Sequence, residues 1–156
     1  MISPELLRRY PFFGFMTEEQ FQKVAMISEE IEFEEGEVLF ESGAAGDAFY
    51  LLIDGAVELS YVVFDQINPE LCKEFQVGDI NPGEVFGVAA VIAPRKFTAT
   101  AKATMNGQAI EIDADALLAL CGEDAAFGYG LMAQVAKATA ERLGFTRTQL
   151  AAAWNA

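Results

Sequence analysis

The chain is 156 residues long, with 53% hydrophobic and 12% aromatic residues, enough to bury the core of one domain spanning 1–156 but not of two. A formal charge of −14 sets it against direct contact with nucleic acid, whose phosphates an acidic surface repels. Having no histidine, it lacks the means for histidine-based triads, histidine-ligated zinc or histidine-anchored haem, and two cysteines are too few for a four-thiolate iron–sulfur cluster.

Cys72 and Cys121 stand far apart without CxxC spacing and read as ordinary reduced thiols. Apolar stretches such as Ala45 to Ala56 are broken by Asp47 and Asp54 and fall short of the roughly 18 residues that a membrane span needs. Arg8-Arg9 is followed by too short an apolar run for a signal peptide. The expectation is a cytoplasmic protein without membrane contact. Acidic residues crowd Glu29 to Glu41, and no Lys or Arg occurs between Lys23 and Lys73, which describes a solvated face better than a set of catalytic carboxylates.

In chain order, residues 1–28 form an N-terminal helical segment. Thr17 followed by Gln20 is a capping box that predicts a helix from about Glu18 to Ile27. Residues 29–113 change to a period of two. Ile31 and Phe33 alternate with glutamates, Glu35-Gly36 turns the chain into Val38 to Phe40, and Gly43 to Gly46 makes a second turn. Phe49 to Ile53 then runs into Asp54-Gly55, a hairpin signal, followed by alternating Val57, Leu59, Tyr61 and Val63. After a polar connection at Asp65 to Glu70, a strand over Cys72 to Val77 leads to turns at Gly78-Asp79 and Asn81-Pro82-Gly83. Phe97 to Thr104 and Ala109 to Ile112 read as two strands joined by a turn at Met105-Asn106-Gly107. Residues 114–156 are helical. Asp113 or Asp115 caps a short helix through Leu118, and a long Ala-rich helix follows Asp124, with Gly144 placed to bend or end it.

The stretch from Leu39 to Gly55, with Gly43, Gly46, Asp47 and Gly55 at their particular spacing, closely resembles the first signature of cyclic nucleotide-binding domains, as in protein kinase regulatory subunits and bacterial catabolite-activator-type regulators. Pro82-Gly83-Glu84-Val85-Phe86-Gly87 resembles the opening of that family's phosphate-binding cassette. The resemblance implies a mainly β fold with flanking helices, a roughly eight-stranded, jelly-roll-like β-roll with an N-terminal helix and a long C-terminal helix. Gly43, Gly46 and Gly55 themselves are better explained as tight turns at positive φ than as ligand contacts.

In the family, the cassette seats a cyclic phosphate at the N-terminus of a short helix, which Gly87 to Ile92 matches, with Ala89 and Ala90 small enough for close backbone approach. Nucleotide-binding members add a glutamate directly after the Phe-Gly pair, for the ribose, and an arginine further along, for the phosphate. Here the glutamate position is Val88 and the arginine position falls on Phe97 or Thr98. Arg95 and Lys96, just upstream, are either solvated loop charges or substitutes for the absent arginine. The candidate pocket is therefore Phe86, Gly87, Val88, Ala89, Ala90, Arg95, Lys96, Phe97 and Thr98.

The resulting expectation is a non-enzymatic regulatory or sensor module with a degenerate cassette, acting on an effector protein or taking a non-standard small ligand. The alternative is a genuine domain for cyclic AMP or cyclic GMP that uses Arg95 or Lys96, and a remote one is a cupin-like enzyme with a carboxylate-bound metal. No catalytic or metal-binding residue is assigned. The segment Phe127 to Leu143 either forms a homodimer interface, as in the bacterial regulators, or packs back onto its own roll. Only about a dozen residues follow Gly144, too few for a DNA-binding helix-turn-helix, so any effect on transcription is expected to pass through a partner.

Overall fold

The computed structural model describes residues 1–68 and 70–154. Pro69, within the predicted Asp65 to Glu70 connection, and Asn155-Ala156, at the end of the predicted helical segment, lie outside the described residues.

The N-terminal segment holds α1 (Pro4–Arg8), a 3-10 turn at Pro11–Phe13 and α2 (Glu18–Met26). Both halves of the predicted capping box form: Thr17 Oγ1 accepts from the Gln20 amide at 3.3 Å, and Gln20 Oε1 accepts from the Thr17 amide at 3.0 Å. The sheet then comprises β1 (Ser28–Phe33), β2 (Val38–Phe40), β3 (Ala48–Phe64), β4 (Cys72–Ile80), β5 (Val85–Phe86) and β6 (Thr100–Asp113). Its order is β1-β6-β3-β4, all antiparallel, with β2 also on β6 and β5 also on β3. The chain closes with α3 (Ala114–Glu123), capped by Asp113, and α4 (Ala125–Trp154).

The sheet is open, and two strands do double duty in it. Asp54-Gly55 does not reverse the chain as a hairpin, nor does Met105-Asn106-Gly107. β3 and β6 instead run straight through these signals, pairing at Leu52↔Ala109 before them and Val57↔Ala103 after them, with register shifts between. The reason is geometric. Gly55, at φ 95°, and Gly107 sit face to face, where a β-carbon on Gly55 would lie 2.9 Å from the Gly107 Cα. Paired bulges at residues without side chains bend both strands together instead of ending them. Each long strand thus supplies two of the predicted arms, which reconciles six strands with the expected roll. Gly78-Asp79 likewise lies inside β4, at a register shift opposite Leu59 and Ser60.

Five consecutive residues, Ala48 to Leu52, are buried, where a one-sided sheet would alternate. Phe49 and Leu51 face a helical layer of Leu7, Phe13, Phe21, Phe127 and Leu131. Ala48, Tyr50 and Leu52 face the inside of the roll, with Val57, Ile80, Phe86, Phe97 and Ala101. β5 repeats this division, Val85 facing the helices and Phe86 the interior.

α3 continues past Leu118 to Glu123, and α4 runs unbroken through Gly144. Asp124 joins the layers: Oδ1 accepts from the Phe127 amide at 3.1 Å, and Oδ2 accepts from Gln20 Nε2 at 2.8 Å. The Gln20 side chain, then the Phe127 amide, hold this carboxyl below its ordinary 3.8. A depressed acid contributes stability above its unfolded pKa and loses it as pH falls through the folded one. Asp124→Ala should therefore lower the thermal midpoint at neutral pH and flatten its decline below about pH 3.8, as read by circular dichroism melts.

The two α4 glycines make a sharper test. Gly130 receives the Phe15 ring, which an added β-carbon would overlap, whereas Gly144 has open space around it. Gly144→Ala should stabilise by up to about 1 kcal/mol through helix propensity, while Gly130→Ala should destabilise despite the same propensity gain, both read from urea midpoints.

Candidate functional site

The cassette begins where β5 leaves the sheet. Gly87 takes φ 72°, and the turn Val88–Val91 that follows is a 3-10 helix. Ala90 is fully buried against Gly46, whose added β-carbon would fall 2.6 Å from the Ala90 Cα. Gly46 therefore serves close approach to the cassette, a different role from the positive-φ turn expected of it. Gly43 and Gly55 do hold positive φ.

Residues 43–46 then run antiparallel to 95–97. The Gly43 amide donates to the Phe97 carbonyl at 2.7 Å, the Phe97 amide to Ala44 at 2.9 Å, and the Gly46 amide to the Arg95 carbonyl at 2.7 Å. The two sequence signatures are thus neighbours in space, and this ladder fixes which way residues 95–98 point. Lys96 and Thr98 face solvent, and Phe97 is 3% exposed.

Phe97 enters an aromatic cluster inside the roll. Its ring stacks on Phe40 at a centroid distance of 3.8 Å and an angle of 17°. Tyr50 stacks on Phe86 at 5.1 Å, and Phe40 lies 5.7 Å from Tyr50 and 6.2 Å from Phe86. Gly87 is walled by the same rings, since a β-carbon there would meet Tyr50 at 3.1 Å and Phe97 at 3.3 Å. Burial, and then the nearby Glu111 carboxylate, push the Tyr50 phenol well above its usual pKa, so it stays neutral. Val88 turns to the other side and packs against the helical-layer core.

Arg95 is the cation nearest the cassette. Its Nε donates to the Ala90 carbonyl at 2.8 Å, and Nη2 donates to the Gly46 carbonyl at 3.3 Å and pairs with Asp115 Oδ1 at 2.7 Å. The guanidinium therefore straps the cassette turn to the 43–46 loop and to α3. Of the nine predicted pocket residues, Phe86, Gly87, Ala90 and Phe97 converge on the interior, Arg95 braces from outside, and Lys96 and Thr98 point away. Sequence reading missed Phe40, Tyr50 and Asp115. Phe40 and Tyr50 lie within the first signature, but only the roll's closure brings them to the cassette.

A small bent sheet with a glycine-led cassette between its long strands and a helical layer is the β-roll class of domain that the two motifs imply. The profile described as "Cyclic nucleotide-binding domain" matches residues 30–124, and the chain belongs to that family. A solved structure, a putative cyclic nucleotide-binding protein from Geobacter metallireducens, is 36% identical with a TM-score of 0.79, covering 92% of this chain and 99% of its own. The sensor domain of the transcriptional regulator DNR from Pseudomonas aeruginosa shares the fold at 22% identity and a TM-score of 0.69, covering 86% of this chain and 91% of its own. Among curated proteins, the cAMP-dependent protein kinase regulatory subunit of Dictyostelium discoideum is 26% identical over 67% of this chain. The cGMP-dependent protein kinase isozyme 1 of Drosophila melanogaster is 28% identical over 78% of this chain. The matches span only 32% and 15% of those two proteins.

Removing the strap separates its parts. Arg95→Ala leaves two carbonyls without their donor and should cost about 1–3 kcal/mol. Asp115→Asn should cost under about 1 kcal/mol, because the Asp115 side chain is 82% exposed. Urea midpoints of the two variants would give this order.

Proposed function

We propose that this chain is a non-enzymatic regulatory module of the cyclic nucleotide-binding family whose cassette is closed to ordinary cyclic nucleotides and which signals through a protein partner. The observation that carries this reading is that, of Phe97 and Thr98, the two positions where the resemblance calls for an arginine, Phe97 lies inside the roll with its ring on Phe40 and Thr98 faces solvent. A cyclic phosphate in a chain of charge −14 needs a charge-assisted donor, and losing one costs roughly 1.5–3 kcal/mol, or about 10–100-fold in affinity. Val88 offers no acceptor to a ribose hydroxyl, and Arg95 is already bonded to three oxygens. Genuine nucleotide binding through Arg95 would have to break that strap, and Lys96 would have to turn in from solvent. Among the described residues no three Cys, Asp or Glu side chains gather as a metal site would require, which leaves the carboxylate-metal alternative without ligands there.

We read the far half of α4 as the partner surface. Of the two alternatives for the segment Phe127 to Leu143, its first half takes the packing onto its own roll: Phe127, Leu131 and Val135 are at most 3% exposed. Beyond them Leu143, Leu150 and Trp154 are 49%, 59% and 82% exposed. Between Leu143 and Trp154 the only charge is Arg147, so this is the stretch where two strongly acidic copies would repel each other least. Two free cysteines, Cys72 exposed, suit the reducing cytoplasm.

Calorimetric titration with cyclic AMP and cyclic GMP tests the cassette: no saturable heat is expected up to about 1 mM ligand. Micromolar binding that disappears in Arg95→Ala would overturn the reading. Sedimentation over a range of concentrations tests the homodimer, and Leu150→Asp should shift the distribution to monomer while the melting temperature is kept.

A further inference from the structure

On the face of β5 opposite the aromatic cluster, a groove of about 480 Å³ opens between α4 and the turn joining β4 to β5. Its volume lies within the range of small-molecule sites, roughly 300–1,000 Å³. Phe12, Val85 and Ala138 line it with apolar surface, and Phe145, 69% exposed, forms a wall.

We propose that this groove is a second ligand site, distinct from the cassette, for a small amphipathic anion: an alkyl or aryl body against Phe12, Val85 and Phe145, with a carboxylate or phosphate head on Arg142. Arg142 is partly buried and donates through Nη2 to the Val85 carbonyl at 3.2 Å. Its Nη1 faces Gly78, where no side chain fills the space; a β-carbon there would be 3.5 Å away. Among the described residues no carboxylate forms an ion pair with it. Burial lowers the Arg142 pKa, opposed by Glu84 from beyond ion-pair distance, so the cation is desolvated without full compensation.

Acidic residues line the groove too, and two of them each hold one oxygen in a hydrogen bond of their own. Asp79 Oδ1 accepts from Gln76 Nε2 at 2.7 Å, Glu84 Oε1 accepts from the Asn81 amide at 2.8 Å, and Glu141 is exposed, so its charge stays solvated. Of the two cations that line the groove, Lys137 is exposed and Arg142 partly buried, so Arg142 is the one that gains most from an anion, and an anionic head on an apolar body matches both halves of the lining. A guanidinium accepts a carboxylate or a phosphate in the same forked geometry, so the head is defined as a class.

Titration calorimetry of the full chain with decanoate, decyl phosphate and neutral decanol tests this. At least one of the two anions should bind at a single site, at least about tenfold tighter than decanol, and their order tells a carboxylate head from a phosphate head. Arg142→Gln should weaken the anion about tenfold or more, Arg142→Lys should restore part of the loss, and Phe145→Ser, on an exposed side chain, should weaken it about threefold without threatening the fold. Equal binding of decanol, anion affinity unchanged in the Gln and Ser variants, or a groove closed by a second copy that excludes both anions, would overturn the proposal. Cyclic nucleotide titrations report on the cassette, and their outcome leaves this one untouched.

Discussion

Gly55 and Gly107 meet across the β3–β6 ladder with less room between them than a methyl group needs, and the architecture follows from that contact. Because neither residue carries a side chain, both strands bend at the same point and the sheet turns its inner face on itself. One face of Ala48 to Leu52 is then covered by the roll and the other by helices, which accounts for five apolar residues in succession. The bend also carries Phe40, Tyr50 and Phe86 to the place where Phe97 enters. A larger residue at either glycine would force the strands apart and remove the cluster along with the fold.

The cassette is set by the backbone around it and by where its side chains turn. Gly46, held by the ladder between residues 43–46 and 95–97, lets the backbone of Ala90 come close, and Ala90 in turn bonds back to Gly87. The side chains point elsewhere: a phenyl ring inward, an ammonium outward, and a guanidinium pledged to carbonyls and to α3. Stacked rings at 3.8 Å gain from burial and from each other, so Phe40 and Phe97 stabilise the roll from inside.

Local chemistry was the legible part of the sequence. The Thr17–Gln20 box, the start of α3 at Asp113 and the long final helix all depend on neighbours within a few residues, and all form. The two motifs gave the family and the cassette's position. Asp54-Gly55 and Met105-Asn106-Gly107 misled because a glycine, at positive φ in Gly55 and in close approach to the facing strand in Gly107, serves a hairpin and a bulge equally, and only the partner strand decides between them. Leu131 and Val135 showed helical spacing without showing what they face, and the residue that seats against Gly130, Phe15, lies far off in the chain. Arg95 was visible as a charge, but its acceptors on Gly46, Ala90 and Asp115 come from three separate elements.

β5 has only two residues, and they look in opposite directions. Val85 offers its carbonyl to Arg142 and its side chain to the helices, while Phe86 lies under Tyr50. So short a ribbon has no slack to absorb a displacement. In a close-packed interior the two residues stand back to back, so the contact with the terminal helix and the contact with the rings share one short piece of backbone.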